Sequence, residues 1–228
     1  MRTLSRIGQV WLVSLALQCG AAAQDVVYSA EPIDGWVIDT DTGRPLPGVI
    51  VVADWSLETG IMDLGRGGEL VLLETETDAD GRYAFPGWGP KTVSEPNTFL
   101  WNRDPLLIFM KPGYRDEFRS NGTTRGPDRI RESLRTSRWT GKQIAMTSLH
   151  GDEAAATRQF NERTDIKMMI GSGRACEWQQ MPMTIAMLVR EGERLYKLGY
   201  RIYRVNPLSF TNQDRCGSAV IWAEKLPR

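Results

Sequence analysis

The chain has 228 residues, with 28 Lys+Arg against 28 Asp+Glu, so no global field favours nucleic acid or an anionic membrane as a partner. Hydrophobic residues at 41% and charged residues at 25% are ordinary for a globular protein and exclude general disorder or multiple membrane spans. The length allows one large domain, or a sandwich of usual size with a smaller appendage.

Arg2 and Arg6 open a short positive segment, residues 7–17 are mostly apolar, and Ala21-Ala22-Ala23 supplies small residues for a signal peptidase. The pattern predicts a signal peptide over residues 1–23 and a mature chain that is periplasmic or secreted. The apolar stretch falls short of the roughly 20 residues of a bilayer span, so no stable membrane insertion is expected after cleavage. Cys19 offers a lipoprotein as the alternative, although the bulky polar Gln18 before it fits a lipobox poorly. Removal of residues 1–23 leaves Cys176 and Cys216, an even pair in an oxidising space, and a disulfide between them is expected.

Residues 26–150 carry the punctuation of an all-β domain, with short apolar or alternating runs between Asp, Gly and Pro clusters. Residues 35–39 read as a strand. Asp39-Thr40-Asp41-Thr42-Gly43 follows as a turn in which Asp bonds local backbone and Gly accepts positive φ. After Arg44-Pro45-Leu46-Pro47-Gly48, residues 49–55 are dense in β-branched side chains. Of their two faces, Val49/Val51/Ala53/Trp55 is a better core candidate than Ile50/Val52/Asp54. Residues 56–69 contain Gly60, Gly65, Gly67 and Gly68 and read as a mobile loop. A strand over 70–77, the hairpin turn Asp78-Ala79-Asp80-Gly81 and a returning strand over 82–85 come next, with Tyr83 and Phe85 on one face. Residues 86–105 read as a Pro/Gly-rich connection, 106–110 as a strand closed by Pro112-Gly113-Tyr114, and 141–149 as a final strand.

After Gly151 the apolar period moves from two toward 3.6. Asp152 is placed to cap a helix through about Met169. A second helix has Pro182 near its start, a stripe of Ile185, Leu188, Val189, Leu195 and Tyr196, and Gly199 beyond its end. Residues 200–205 and 219–223 read as short strands. Residues 151–228 are therefore expected to form a helical C-terminal extension, with a short strand-containing tail, packed on a sandwich of residues 26–150.

Asp39, Thr42-Gly43, Pro45-Leu46-Pro47-Gly48 with Val49 and Val51, the run Thr77-Asp78-Ala79-Asp80-Gly81-Arg82-Tyr83 with Phe85, and Gly113-Tyr114 resemble, in order and spacing, the carboxypeptidase regulatory-like domain family. The resemblance covers roughly residues 30–150. It implies an antiparallel Greek-key β-sandwich of about seven or eight strands, related to transthyretin-like and carbohydrate-binding-like modules. It also implies a non-catalytic accessory role in which the partner is an envelope protein or a glycan. Matches of this kind are turn chemistry and inward alternation, so they speak for fold more than for activity. Residues 56–69 and the region after Leu149 depart from the family pattern, and nothing carries over there.

Candidate chemistry is sparse. A zinc carboxypeptidase needs at least two histidines for its metal, and an intradiol-dioxygenase-like iron site on a similar sandwich would need two Tyr and two His. His150 is the single histidine, and no Gly-x-Ser-x-Gly accompanies it. No catalytic residue, metal or cofactor is therefore assigned. The turn pairs Asp39/Asp41 and Asp78/Asp80 offer oxygens that calcium could use, but Asp in such turns ordinarily bonds neighbouring amides. Of the eight tryptophans, Trp88 and Trp101, with Phe99 between them, are the candidates for a glycan platform; the competing reading is that they lid the core. Arg125, Arg129, Arg131, Arg135 and Arg138 read as a solvated loop face, and Asn121-Gly122-Thr123 as a glycosylation sequon where the host glycosylates. Three functions follow: an accessory module binding an envelope protein or glycan, a carbohydrate-binding module using exposed tryptophans, and a hydrolase built on a carboxylate pair.

Overall fold

A computed structural model describes residues 25–60, 65–100, 104–122, 134–163, 176–202, 216–218, 221–222 and 225. Among these, eleven strands form three sheets, none closed, and two α-helices follow. The fold is mainly β with a helical extension.

Strands β1 (Val26–Ala30) and β2 (Ile33–Asp39) pair antiparallel with β6 (Trp88–Val93) and β5 (Arg82–Phe85), respectively. The pairs Ala30/Trp88 and Ile33/Phe85 keep one register across the breaks at residues 31–32 and 86–87, so the two sheets are halves of one bent layer. Its far side is closed by β10 (Leu134–Arg135) and β11 (Lys142–Met146), which run parallel to β1 and β2. The opposing sheet has the order β4-β3-β8-β9, from β3 (Ile50–Thr59), β4 (Gly65–Glu76), β8 (Leu106–Met110) and β9 (Glu117–Arg119), with β7 (Thr98–Leu100) extending along the end of β3.

The expected face Val49, Val51, Ala53 and Trp55 does lie between the layers, with Val37, Tyr83, Phe85, Phe109 and Ile144. The turns hold as their residues dictate: Asp39 Oδ1 accepts from the Asp41 and Thr42 amides at 3.0 and 2.8 Å, and Asp78 Oδ1 from those of Asp80 and Arg82 at 2.9 and 2.8 Å. Gly81 is required at its hairpin, because φ is +71° and a Cβ would meet the Val37 carbonyl oxygen at 2.4 Å.

The other face of β3 differs from an ordinary solvated sheet. Ile50 and Val52, with Leu72, Ile108 and Met110, are buried beneath the helices in a second cluster. Helix α1 (Glu153–Glu162) begins at Asp152, whose carboxylate accepts from Ala155 N at 2.9 Å. A 3-10 turn (Glu177–Gln180) leads into α2 (Pro182–Lys197), which starts with proline in its first turn. Phe160, Trp178, Met181, Ile185, Leu188 and Leu195 fill this cluster. Gly192 on α2 admits the Phe160 ring, since a Cβ would lie 3.1 Å from it. Cys176 and Cys216 are bonded, their Cα atoms 5.5 Å apart, and Trp178 meets Trp222 edge-on at 5.2 Å.

Several expectations are corrected. Residues 56–59 and 65–69 extend β3 and β4 into a long hairpin; cross-strand pairing, including the shifts beside Trp55/Ser56 and Leu57/Glu58, absorbs the glycines of β4. Residues 86–105 contain β6 and β7, because extended Pro/Gly-rich backbone can still pair at an edge. Helix α1 ends at Glu162, short of Met169, which lies outside the described residues. Tyr200–Ile202 form no strand, residues 203–205 lie outside the described residues, and Ile221 and Trp222 are helical. There Trp222 N bonds Ser218 O, a local helical contact that leaves no ladder to join.

Candidate functional site

The residues singled out for sugar stacking are not gathered into one platform. Trp88, half-buried, packs edge-on against buried Trp55 at 5.4 Å and an interplanar angle of 85°. Phe99 is half-buried in β7 opposite Glu58, and Trp101 lies outside the described residues. Among the described tryptophans the most exposed ring is Trp36, at 37%, on the outer face of β2, its Nε1 donating to Gln143 Oε1 at 2.9 Å. Period-two alternation could have found it: Gly35 and Val37 point inward, so Trp36 points out.

The arginine run is also divided. Arg125, Arg129 and Arg131 lie outside the described residues. Arg138 stacks at 5.7 Å from the Trp139 ring centre, with Arg119 at 5.4 Å. Arg135 is no solvated loop residue: it is buried and grips Asp104 through Nε and Nη2. The ladder contact between β10 and β1 draws it inward, and burial pushes the Asp104 carboxyl up to about 6 against the pull of the guanidinium. Asn121 of the sequon donates its amide to the Asp104 and Thr136 carbonyls at 2.6 and 2.5 Å, so glycosylation at that nitrogen, which leaves it one N–H, would break at least one of the two bonds.

In each acidic turn the first carboxylate, Asp39 or Asp78, is committed to local backbone. Asp39 also accepts from Tyr114 Oη at 2.8 Å, and that bond, helped by the Thr42 amide, holds its carboxyl below the usual range. His150 is exposed, with Nε2 3.3 Å from Asp41 Oδ2. Among the described residues, no group of three or more His, Cys, Asp and Glu is placed to hold a metal ion.

Open concavities lie on the helical flank. A cleft of about 790 Å³ runs between α2 and the ends of β3 and β4, with Ile50, Met183, Ala186 and Met187 on its walls and Glu76 and Arg190 among its charges. The wall is anchored from below by Glu74 on β4, whose carboxylate accepts from Met183 N (2.5 Å), Thr184 N (3.0 Å) and Thr184 Oγ1 (2.9 Å). This carboxylate caps α2 in place of Met181, which offers no side-chain bond. Burial raises the Glu74 pKa while the three donors oppose it. Beside the cleft, Arg194 bridges Glu153 on α1 at 2.7 Å and Glu191 at 2.8 Å, an exchange that holds Glu153 below its usual range and Arg194 above its own. Sequence reasoning missed Glu74, because no spacing on β4 signals the distant amides it serves.

No family model and no curated protein matches the sequence. Among solved structures, the chain is similar to 3-chlorocatechol 1,2-dioxygenase from Rhodococcus opacus (TM-score 0.30, 13% identity, 54% of this chain and 61% of that one). A mutant catechol 1,2-dioxygenase from Acinetobacter radioresistens gives a TM-score of 0.29 at 11% identity, over 54% of this chain and 52% of that one. The dioxygenase domain of a dioxygenase carbohydrate-binding protein fusion from a Streptomyces species gives 0.24 at 16% identity, over 56% and 81%. The chain spans between half and two thirds of the two catechol dioxygenases, and likeness at this level carries no argument about chemistry.

Proposed function

We propose that this chain is an exported, non-catalytic accessory module that binds another component of the cell envelope, a protein in preference to a glycan, through the cleft beside α2. The observation that carries the reading is the contrast between a committed interior and an open flank. Asp39, Glu74, Asp104 and Asp116 are each bonded to partners within the fold, whereas the cleft beside α2 presents the half-buried side chains of Met183 and Ala186 with charges around them. An apolar surface with a polar rim suits a protein partner, and methionine repacks to fit one. The signal-like segment and the Cys176–Cys216 bond support an oxidising compartment.

The hydrolase alternative needs two carboxylates of separated pKa facing one cleft. The acids beside α2 are Glu76 and Glu191, and Glu191 is held by Arg194. The carbohydrate-binding alternative passes, among the described tryptophans, from Trp88 to Trp36, whose ring is the most exposed of them. A photocrosslinking residue at Ala186, compared with one at Trp36 in the native host, tests these readings. A single protein adduct at 186 that disappears with Met183→Glu is expected; equal capture at both positions, or none at 186, would rule out docking beside α2.

A further inference from the structure

We propose that a second cleft, between β9 and α1, is an oxyanion-binding site that takes a carboxylate or phosphate group carried on a small, partly apolar ligand. This site is separate from the cleft beside α2 and does not rest on the protein-docking reading.

The cleft measures about 480 Å³, and Arg115, Arg158 and Arg163 contribute to its lining. Arg115 and Arg158 are exposed, and among the described residues neither guanidinium has a hydrogen-bond or ion-pair partner. The Arg115 backbone is held at the cleft, its N–H donating to the Thr147 carbonyl at 2.9 Å. Arg163 is buried at the end of α1. Its Nε and Nη2 clasp Asp116 at 2.6 and 3.0 Å, and its Nη1 is buried with no acceptor among the described residues.

Asp116 receives a further bond from Gln159 Nε2 at 3.2 Å, so its charge is fully engaged with groups of the fold. Glu162 is the other acid of the lining, which leaves three guanidinium groups facing two carboxylates. With Arg163 and Asp116 engaged with each other, the exposed guanidinium groups of Arg115 and Arg158 are the ones a ligand in the cleft can reach. Planar guanidinium forks match carboxylate and phosphate oxygens in pairs. Phe118, 38% exposed, and half-buried Leu149 supply the apolar side. The volume lies within the range of about 300–1,000 Å³ usual for small-molecule sites.

Calorimetric titration of the full chain freed of residues 1–23 tests the site with inorganic phosphate, phenyl phosphate and glucuronate, and with glucose as the uncharged control. Saturable binding of at least one anion is expected, with phenyl phosphate ahead of inorganic phosphate because of Phe118, and no binding of glucose. The relative strength of phosphate and glucuronate identifies which oxyanion the site favours. The double variant Arg115→Gln/Arg158→Gln should bind about tenfold or more weakly while keeping the melting temperature of the unliganded protein, since both side chains are exposed. Equal affinity in the double variant, or no saturable binding of any of the three anions, would overturn the proposal.

Discussion

The two hydrophobic clusters on either side of the β4-β3-β8-β9 sheet are assembled by different rules. Between the layers, alternate residues of neighbouring strands meet through ladders that local turns set in register, as Asp78 to Gly81 does for β5. Beneath the helices, the same sheet offers Ile50, Val52, Ile108 and Met110 to side chains from helical segments far along the chain, and no ladder sets that register. Position there is fixed by discrete ties: Glu74 on the α2 amides, Cys176 to Cys216, and Arg194 between the helices. A sheet buried on both faces therefore has one side specified by pairing and the other by a few long-range contacts.

The largest effect should come from the side that pairing specifies. Phe109→Ala empties a fully buried position facing Tyr83 at 5.4 Å and should cost about 3–5 kcal/mol, with strands and helices melting together in calorimetry. Independent loss of the helices would break the comparison in the opposite sense. Replacing both Cys176 and Cys216 by serine releases a cross-link spanning 40 residues, worth about 4 kcal/mol by chain entropy. Hydrogen exchange should then rise across α2 while β3 and β8 stay protected; equal deprotection of the strands would contradict a flank held by its own ties.

Acidity probes the end of the bent layer. The folded chain keeps a proton on Asp104 up to about 6, whereas an unfolded carboxyl releases it near 4. Between those values the native state binds more protons, so this group makes stability fall as pH rises from about 4 to about 6, by on the order of 2–3 kcal/mol. Urea unfolding across that window should show the slope, and Asp104→Asn should remove it. The smallest effect is expected for Glu74→Ala, which strips the cap from α2 and should cost about 1–2 kcal/mol. Faster exchange confined to Met183 and Thr184 would sharpen the assignment of that carboxylate as a cap.

Legibility in the sequence followed the range of the interaction. The core face of β3, the turns at Asp39 and Asp78, and the starts of α1 and α2 were readable because each depends on residues a few positions apart. Burial of Ile50 and Val52, ion pairing of Arg135 and the edge-on packing of Trp88 were not, since each depends on a partner brought from a distant strand or helix. The glycines of residues 56–69 misled for the same reason: low intrinsic β-propensity was overcome by pairing along the long β3–β4 hairpin.

What the sequence alone determined is where the backbone turns and which side of each strand is oily, because side-chain alternation and turn hydrogen bonds are local. Only the tertiary structure decided that the second face of β3 is covered, that Glu74 completes a helix more than a hundred residues away, and that Arg115, just before β9, shares one cleft with Arg158 and Arg163 on and just after α1. Those outcomes come from surfaces meeting after collapse, where burial and charge compensation are set by neighbours that no spacing along the chain encodes.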